Sequence, residues 1–488
     1  MKALHIITGL GVGGAEQQLR LLLRHLPVES EVVTLTNPGP VADGLAADGV
    51  RVTHLGMAGN RDLAALPRLA RIVRRGRYDL VHTHLYRACL YGRIAARLAG
   101  VRAVVATEHS LGDSQMEGRP LTAGVRALYL LGERLGRCTV AVSPTVAGRL
   151  ARWGVPEPRI AVVPNGIDLT RFAYDPDARR RTRAHLGLPA DAFVIGGVGR
   201  LVPGKRFDVL IRALAELPAD CRLLLVGGGP EEPALRSAAR AAGVAERVLF
   251  AGERPYLPDG PPGRGLPDGP PCPDLPDGPL CPDLPDGSSG PRLPHGPNPP
   301  ASPPSRDLPD GSSGPRLPDG PNPPDSPPDG DLPDGSSGLG LPDGPATPNW
   351  ADGSRVPDLS ADGPSGPGLP ALASAMDVLA APSPEEAFGL AVVEALAAGL
   401  PVRYTSCPAL EDLPPEAAPD AVRVPCDAGA YARALAEVRA AGPGPRTAPE
   451  AARHYSITRS AARLMDVYTA ALARPVPPPR SPQGVTPS

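Results

Sequence analysis

Three scarcities narrow what this chain can be. Cysteine is scarce: seven residues, an odd number without metal-ligand spacing, make neither a disulfide framework nor a zinc site. Cys272 and Cys281 fall in low-complexity text, and the others sit singly in expected strands or helices, so reduced and mostly buried thiols are expected. Long apolar runs are absent: nothing approaches the roughly 18–20 residues of a membrane span. The opening MKALHIITGLGVGG reaches a glycine loop too soon for a signal peptide, which points to the cytoplasm, with the inner membrane face as a peripheral option. Aromatics make up 3% of residues, which beside abundant Ala, Arg, Leu and Val reflects a GC-rich coding sequence more than a function. Net charge is only −2, but it is unevenly spread. Residues 1–190 hold 26 Lys/Arg against 15 Asp/Glu, and the remainder 24 against 37. Much of the basic excess lies at Arg68, Arg71, Arg74, Arg75 and Arg77, then Arg87, Arg93, Arg97 and Arg102. These are either solvated helix faces or a surface for anionic lipid head groups or a phosphate-bearing acceptor.

What is present begins with alternation. Apolar strands are expected near Leu4–Thr8, Glu31–Thr36, Val50–Leu55, Leu80–His84, Val104–His109, Thr139–Ser143 and Ile160–Pro164. Helical patterns such as AEQQLRLLLRHL and LPRLARIVRRG fall between them. Continuous apolar strands with helical crossovers imply a parallel, doubly wound α/β sheet over residues 1–190. The first turn, Gly9-Leu10-Gly11-Val12-Gly13-Gly14, matches G-x-G-x-x-G, which raises a dinucleotide-dependent oxidoreductase as a competing reading. That fingerprint wants an acid at the end of the second strand, where Thr34-Leu35-Thr36-Asn37-Pro38 supplies none. His82 and His84 alternate with apolar residues; without metal partners at suitable spacing they read as packing or hydrogen-bonding residues, one toward a cleft and one toward a helix. Glu108-His109-Ser110 ends the fifth strand, at the carboxyl edge where such sheets hold ligands.

A second doubly wound domain is expected from Asp191. FVIGGVGRL leads to Val202-Pro203-Gly204-Lys205-Arg206 and the helix FDVLIRALAEL. Gly199 to Lys205 matches G-x4-G-K, but Arg206 stands where a phosphate-binding loop needs Ser or Thr for magnesium, so a nucleoside triphosphatase is disfavoured. Then composition breaks. The excess behind the 67 prolines and 56 glycines is local: residues 258–368 read as LPDGP, NPP and SSG units, and DLPDGSSG recurs at Asp283, Asp307 and Asp331, a 24-residue period. Pro and Gly at that density forbid helix and sheet, so residues 258–368 are expected to be a disordered repeat insert in the second domain, which otherwise covers 191–257 and 369–452. The insert's 111 positions leave 377 residues. Loop-closure entropy grows only logarithmically with length, so such an insert need not unfold its host.

The stretch Ala381 to Val402, APSPEEAFGLAVVEALAAGLPV, carries the chemistry. Glu386 and Glu394 flank Phe388-Gly389-Leu390, and strong helix formers run from Phe388 to Gly399 before Pro401. A helix with Glu386 at its mouth would place Glu394 about 12 Å further on and roughly a quarter-turn round. Free N–H groups of Gly389 and Leu390 at the positive helix end suit a pyrophosphate, and the carboxylates suit hydroxyls. An isolated pair of this spacing could equally be an amphipathic core helix with two exposed glutamates. Followed by GLPV and preceded by DVLAAPS, the pair resembles the donor signature of retaining GT-B glycosyltransferases, family 4 (glycosyl transferases group 1).

That resemblance implies two Rossmann-like domains facing a cleft, and transfer of a sugar from a UDP-, GDP- or ADP-sugar to an acceptor hydroxyl with retention, without metal or cofactor. It implies that Gly13 and Gly14 approach the donor phosphates, that Arg200 and Lys205 hold the diphosphate, and that Phe388, Gly389 and Leu390 complete that site. Glu386 would bind sugar hydroxyls, Glu394 the ribose, and His109 would sit near the reacting centre. The segment Val163–Asp168 resembles the interdomain loop, and residues 453–473 the helix that crosses back to the first domain, ahead of a disordered tail at 474–488. Partners would be a nucleotide sugar and a carbohydrate, lipid-linked or small-molecule acceptor in cell-envelope, exopolysaccharide or glycolipid synthesis, with no nucleic acid. One departure stands out: Arg403 to Asp412 replaces the family's short glycine-rich turn. A catalytically impaired scaffold or tether is the remaining alternative.

Overall fold

The computed structural model describes residues 1–59, 62–109, 111–112, 115–116, 119–120, 122–254 and 366–473. The first sheet holds β1 (Lys2–Ile7), β2 (Glu29–Thr34), β3 (Arg51–His54), β4 (Leu80–His84) and β5 (Ala103–Glu108). A two-residue hairpin follows, β6 (Gln115–Met116) with β7 (Arg119–Pro120), and then β8 (Cys138–Ala141) and β9 (Ile160–Val162) rejoin the sheet. Its order is β3-β2-β1-β4-β5-β8-β9 and every pairing within it is parallel. Each of the seven expected strands is present, with ends displaced by no more than two residues. Helices cover both faces, so β4 and β5 are buried along their whole length.

The second sheet repeats the plan with β10 (Phe193–Val198), β11 (Cys221–Val226), β12 (Val248–Gly252), β13 (Val378–Ala381), β14 (Val402–Tyr404) and β15 (Ala421–Arg423). Its order is β12-β11-β10-β13-β14-β15, again parallel. In each sheet the direction of strand succession reverses once, between β1 and β4 and between β10 and β13. Loops leaving the carboxyl ends of those strands diverge there and open a crevice for ligands.

The helix Ala65–Gly76 shows why the arginines are numerous. Ala65, Leu69, Ala70 and Val73 form its buried stripe, while Arg68, Arg71, Arg74 and Arg75 point to solvent. Arg93 corrects the expectation of a basic surface residue. It is 1% exposed, donates from Nη2 to Thr139 Oγ1 at 2.9 Å, and lies over the Tyr129 ring. A buried guanidinium with such partners is part of the core, not a docking surface.

Two crossovers join the domains side by side. Ile167 donates its N–H to Tyr455 O at 2.8 Å, and Ile457 donates to Ile167 O at 2.9 Å. Gly166 is needed there, since a Cβ would meet the Ile457 Cα at 2.5 Å. The buried amide of Gln18 clamps the same glycine from both sides, Nε2 donating to Gly166 O at 2.8 Å and Oε1 accepting from Gly166 N at 3.0 Å. The helix Ile457–Leu472 then lies on the first sheet, with Ala461, Leu464, Tyr468 and Ala471 packed among Ala3, Leu80, Val105 and Val140.

Under that helix lies a cluster of imidazoles. His5, His82 and His84 are at most 1% exposed, and the His82 and His84 ring centroids are 4.1 Å apart. His82 bonds Tyr468 Oη through Nδ1 and Thr107 Oγ1 through Nε2, both at 2.7 Å. The sequence expectation of one histidine toward a cleft and one toward a helix is therefore corrected: residues two apart in a strand share a face, and both rings are interior. Their hydrogen-bonding and packing role stands. Burial pushes His5 down to about 3 and His109 to about 4, and drives His82 and His84 well below the ordinary histidine range.

The insert itself, 258–368 in the sequence reading, lies outside the described residues except at its end, as do the expected tail and Ser110. The residues that bracket it do speak. A Cβ on Gly366 would run into the Arg254 guanidinium, so the chain departs and returns at one point. The helix Leu369–Ala375 then leads into β13, the crossover that returns the chain to the second sheet.

Tyr468→Phe should cost about 1–3 kcal/mol in urea denaturation, because it strands a buried ring nitrogen of His82. The histidine cluster also sets a pH dependence. The unfolded chain takes up these protons near pH 6.5, the folded chain only far lower. Stability should therefore be complete above about pH 6.5 and fall by about 1.4 kcal/mol per pH unit for each neutral buried histidine as pH drops toward 4. Denaturation midpoints that stay level between about pH 7 and pH 5 would contradict neutral interior imidazoles.

Candidate functional site

The second sheet's reversal point carries the site. β10 ends in Val198, and the chain turns through Gly199, whose φ of +147° lies where side chains are rarely tolerated. The short turn Pro203–Lys205 follows, and the Lys205 chain folds back over Gly199. From β13 on the other side of the reversal comes the loop 382–389. Its Glu386 carboxylate forms an ion pair with the Lys205 ammonium, both side chains being partly exposed. The two groups that the sequence reading assigned to sugar and diphosphate thus meet directly.

Three tethers hold that loop. Ser383 Oγ lies 3.1 Å from Gly204 O and 3.0 Å from Glu385 O, linking the loop to the Lys205 turn. Ser143, just past β8 in the first domain, donates to Ala387 O at 2.7 Å. Arg149, on the helix Pro144–Trp153, donates from one Nη1 to Leu111 O at 3.0 Å and Glu386 O at 3.1 Å. Sequence reasoning missed all three, because a serine or an arginine carries no mark of a partner 179 to 244 residues away.

The helix after the loop is shorter than expected. It spans Leu390–Ala397, and its N-cap is Gly389 at φ +95°. Glu386 therefore lies in the preceding loop and not on the helix, so the eight-residue helical rise and rotation inferred between the two glutamates do not apply. A left-handed residue breaks the helical path before it can reach Phe388. A Cβ at Gly389 would also strike the Cys407 sulfur. Burial pushes the Cys407 thiol far above its ordinary range, so it fills space as an unreactive group in the segment that replaces the family's glycine turn. Val392 is the first residue here whose N–H meets a helical carbonyl, Gly389 O at 3.0 Å. The amides of Leu390 and Ala391 are left at the positive end of the helix, a geometry suited to an anion.

The remaining expected residues separate. Gly14 opens the helix Gly14–His25 behind the Gly13 N-cap, and a Cβ on Gly14 would lie 3.7 Å from Leu390 Cδ2, so the two helix starts approach across the domains. Arg200 is exposed beside the Lys205 turn. Phe388 is 3% exposed and stacks edge-on against Tyr455, with centroids 5.0 Å apart, so its ring belongs to the core. Glu394 is 4% exposed and faces a small interior space lined by Val198, Leu379, Ala391 and Leu400. His109 follows β5, half-buried, with Nε2 3.2 Å from His84 Nδ1.

The glycine loop shows no carboxylate at the end of β2. Leu10 instead donates to Asn37 O at 2.9 Å, and Val41 to Leu10 O at 3.2 Å, so residues 37–41 are stitched over the loop. This is not the ribose-binding arrangement of a dinucleotide fold. Five described cysteines are free, three of them buried, as the sequence suggested. Among the described residues no helix is long and apolar enough to cross a membrane.

Comparison with known proteins follows the same order along the chain. The Glycosyltransferase Family 4 profile matches residues 12–171, and Glycosyl transferases group 1 profiles match 178–259 and 357–440. The GDP-mannose-dependent alpha-(1-6)-phosphatidylinositol monomannoside mannosyltransferase of Mycolicibacterium smegmatis is 40% identical over 158 residues, covering 32% of this chain and 40% of that protein. The D-inositol 3-phosphate glycosyltransferase of Acidothermus cellulolyticus is 34% identical over 203 residues, covering 37% and 44%. The chain thus spans less than half the length of either relative. Anabaena HepE, solved with UDP and glucose, superposes with a TM-score of 0.64 at 19% identity, covering 96% of this chain and 100% of that one, a likeness of fold. Two parallel-sheet domains meeting at their carboxyl edges are the GT-B architecture. Matched from residue 12 to residue 440, with its widest gap between 259 and 357, the chain belongs to glycosyltransferase family 4, the glycosyl transferases group 1.

Proposed function

We propose that this protein transfers a sugar from a nucleoside diphosphate sugar to an acceptor hydroxyl, with retention of anomeric configuration and without a metal. The observation that carries the reading is the Lys205–Glu386 ion pair at a sheet reversal point, beside a helix whose first amides have no helical partner. Within the pair the two charges neutralise each other. A donor entering there exchanges that pair for two better-matched ones: the ammonium turns to the diphosphate and the carboxylate accepts from sugar hydroxyls.

The leaving diphosphate then meets Lys205, Arg200 and the helix end at Gly389–Leu390, with Gly13 and Gly14 letting backbone approach from the first domain. Fixed positive dipoles and cations placed before reaction lower the barrier to its departure without reorganising. His109 helps place the reacting centre, and Glu394 serves the ribose once the helix end is occupied. Because Ser143 and Arg149 reach from the first domain to the carbonyls of Ala387 and Glu386, closing the cleft and seating Glu386 are one event. Closure would exclude water that could hydrolyse the donor.

The acceptor we infer is a phosphate-bearing or glycolipid hydroxyl in cell-envelope, exopolysaccharide or glycolipid synthesis, approached at the inner membrane face. The basic excess of residues 1–190 supports it, as do the inositol-phosphate and phosphatidylinositol names of the two relatives. The donor nucleotide is UDP, GDP or ADP; the Mycolicibacterium relative is named for GDP-mannose, and HepE was solved with UDP.

A thermal-shift panel of UDP-, GDP- and ADP-sugars tests the site directly. The matching donor at about 100 times its dissociation constant should add roughly 2.7 kcal/mol to stability. Lys205→Ala should weaken that donor roughly 10- to 100-fold, the loss of one charge-assisted hydrogen bond. A variant lacking residues 258–368 should keep full donor binding, since its flanks already adjoin. Cooperative unfolding with no shift from any sugar nucleotide, in both forms, would sink the transfer reading and favour the scaffold.

A further inference from the structure

Beyond His109 as a cleft residue, a chain of imidazoles runs from it into the sheet. His109 Nε2 lies 3.2 Å from His84 Nδ1, and His84 Nε2 lies 3.2 Å from His5 Nδ1. The outer nitrogens, His109 Nδ1 and His5 Nε2, are buried with no hydrogen-bond partner among the described residues. Burial holds every ring neutral, so each carries one N–H. Three neutral rings sharing two hydrogen bonds can point only one way or the other along the chain. If His109 donates to His84 and His84 to His5, an N–H is stranded at His5 Nε2, deep beneath the sheet surface. If His5 donates to His84 and His84 to His109, the stranded N–H is His109 Nδ1, at the carboxyl edge.

A sealed N–H without an acceptor is rarer in proteins than a bare acceptor. Both ends are covered, but His5 is 1% exposed in the middle of the sheet and His109 is half-buried at its carboxyl edge, so the second direction leaves only a lone pair in the interior and puts the spare donor at the end nearer solvent. We propose that His5 and His84 are positioning residues that set His109 as its Nδ1–H tautomer and so present an N–H donor to a ligand oxygen at the cleft. The functional consequence rests on the proposed place of His109 in transfer; the tautomer does not. His82 stands apart, because its partners Tyr468 and Thr107 are hydroxyls that can give or take a proton, and geometry leaves its tautomer open.

The same rings resemble a metal site, with one nitrogen each of His5, His82 and His84 within 4.8 Å of one another. A cation would have to draw His82 away from one of its two 2.7 Å hydroxyl bonds. The hydrogen-bond chain needs no such rearrangement.

Long-range proton–nitrogen NMR of histidine-labelled full-length protein, without substrate, reads each tautomer. His109→Gln identifies the His109 signals by their loss. The expected result is Nδ1–H at His109 in the unaltered chain and a shift toward the Nε2–H form, which free histidine favours, in H84F and H5F. H5F acts through two hydrogen bonds, so it decides the matter if H84F does not fold. An Nε2–H form at His109 in the unaltered chain overturns the inference, as does an unchanged tautomer in the folded variants. So does stoichiometric zinc in the purified protein that is lost in H5F. The expected tautomers in a chain that binds no sugar nucleotide would fault the transfer reading and leave this inference standing.

Discussion

The Glu386 carboxylate stays opposite the Lys205 ammonium because the loop that carries it is held from three directions. Ser383 ties it to the Lys205 turn, while Ser143 and Arg149 reach it from the other domain. A charge pair of this kind, partly open to water, contributes little to stability by itself. Its importance is geometric. It marks where opposite charges already face one gap, so a ligand carrying both phosphate and hydroxyls meets partners of each kind. Parallel sheets make that gap, since every strand's carboxyl end points the same way and strand succession reverses at β10 and β13.

The first domain answers with a different device. Its reversal point is packed underneath with neutral imidazoles and closed by the helix Ile457–Leu472, whose Tyr468 belongs to the end of the chain and whose His82 partner lies near its start. The polar chain His5–His84–His109 runs from β1 across β4 to the residue that follows β5. Such a network is costly to half-satisfy, which is why its open ends carry the information.

Much of this was legible. Continuous apolar runs with helical spacing between them located every strand of the first sheet, and the glycine–lysine turn after β10 gave Lys205 its place. Gly14 and Leu390, chosen from separate motifs, come together as neighbours. Other readings depended on contacts that no local pattern encodes. Phe388 looked like part of a ligand loop and is a core ring against Tyr455, and Arg93 looked like surface charge and is buried on Tyr129. The start of the helix at Leu390 was misplaced by two residues, because nothing local marks Gly389 as the left-handed residue that stops the helix and passes close to Cys407.

By itself the sequence determined the fold class, the two-domain plan, the break at the repeat and the identity of the charged residues at the candidate site. The first three follow from periodicity and composition, which act over a few residues at a time, and the charged residues from motifs and a family resemblance. Only the tertiary structure decided that Lys205 and Glu386 pair, that Ser143 and Arg149 hold the loop, and that His5 speaks to His109 through His84. Those are distances between strands and loops far apart in the chain, set by how two sheets twist and pack, and no local spacing contains them.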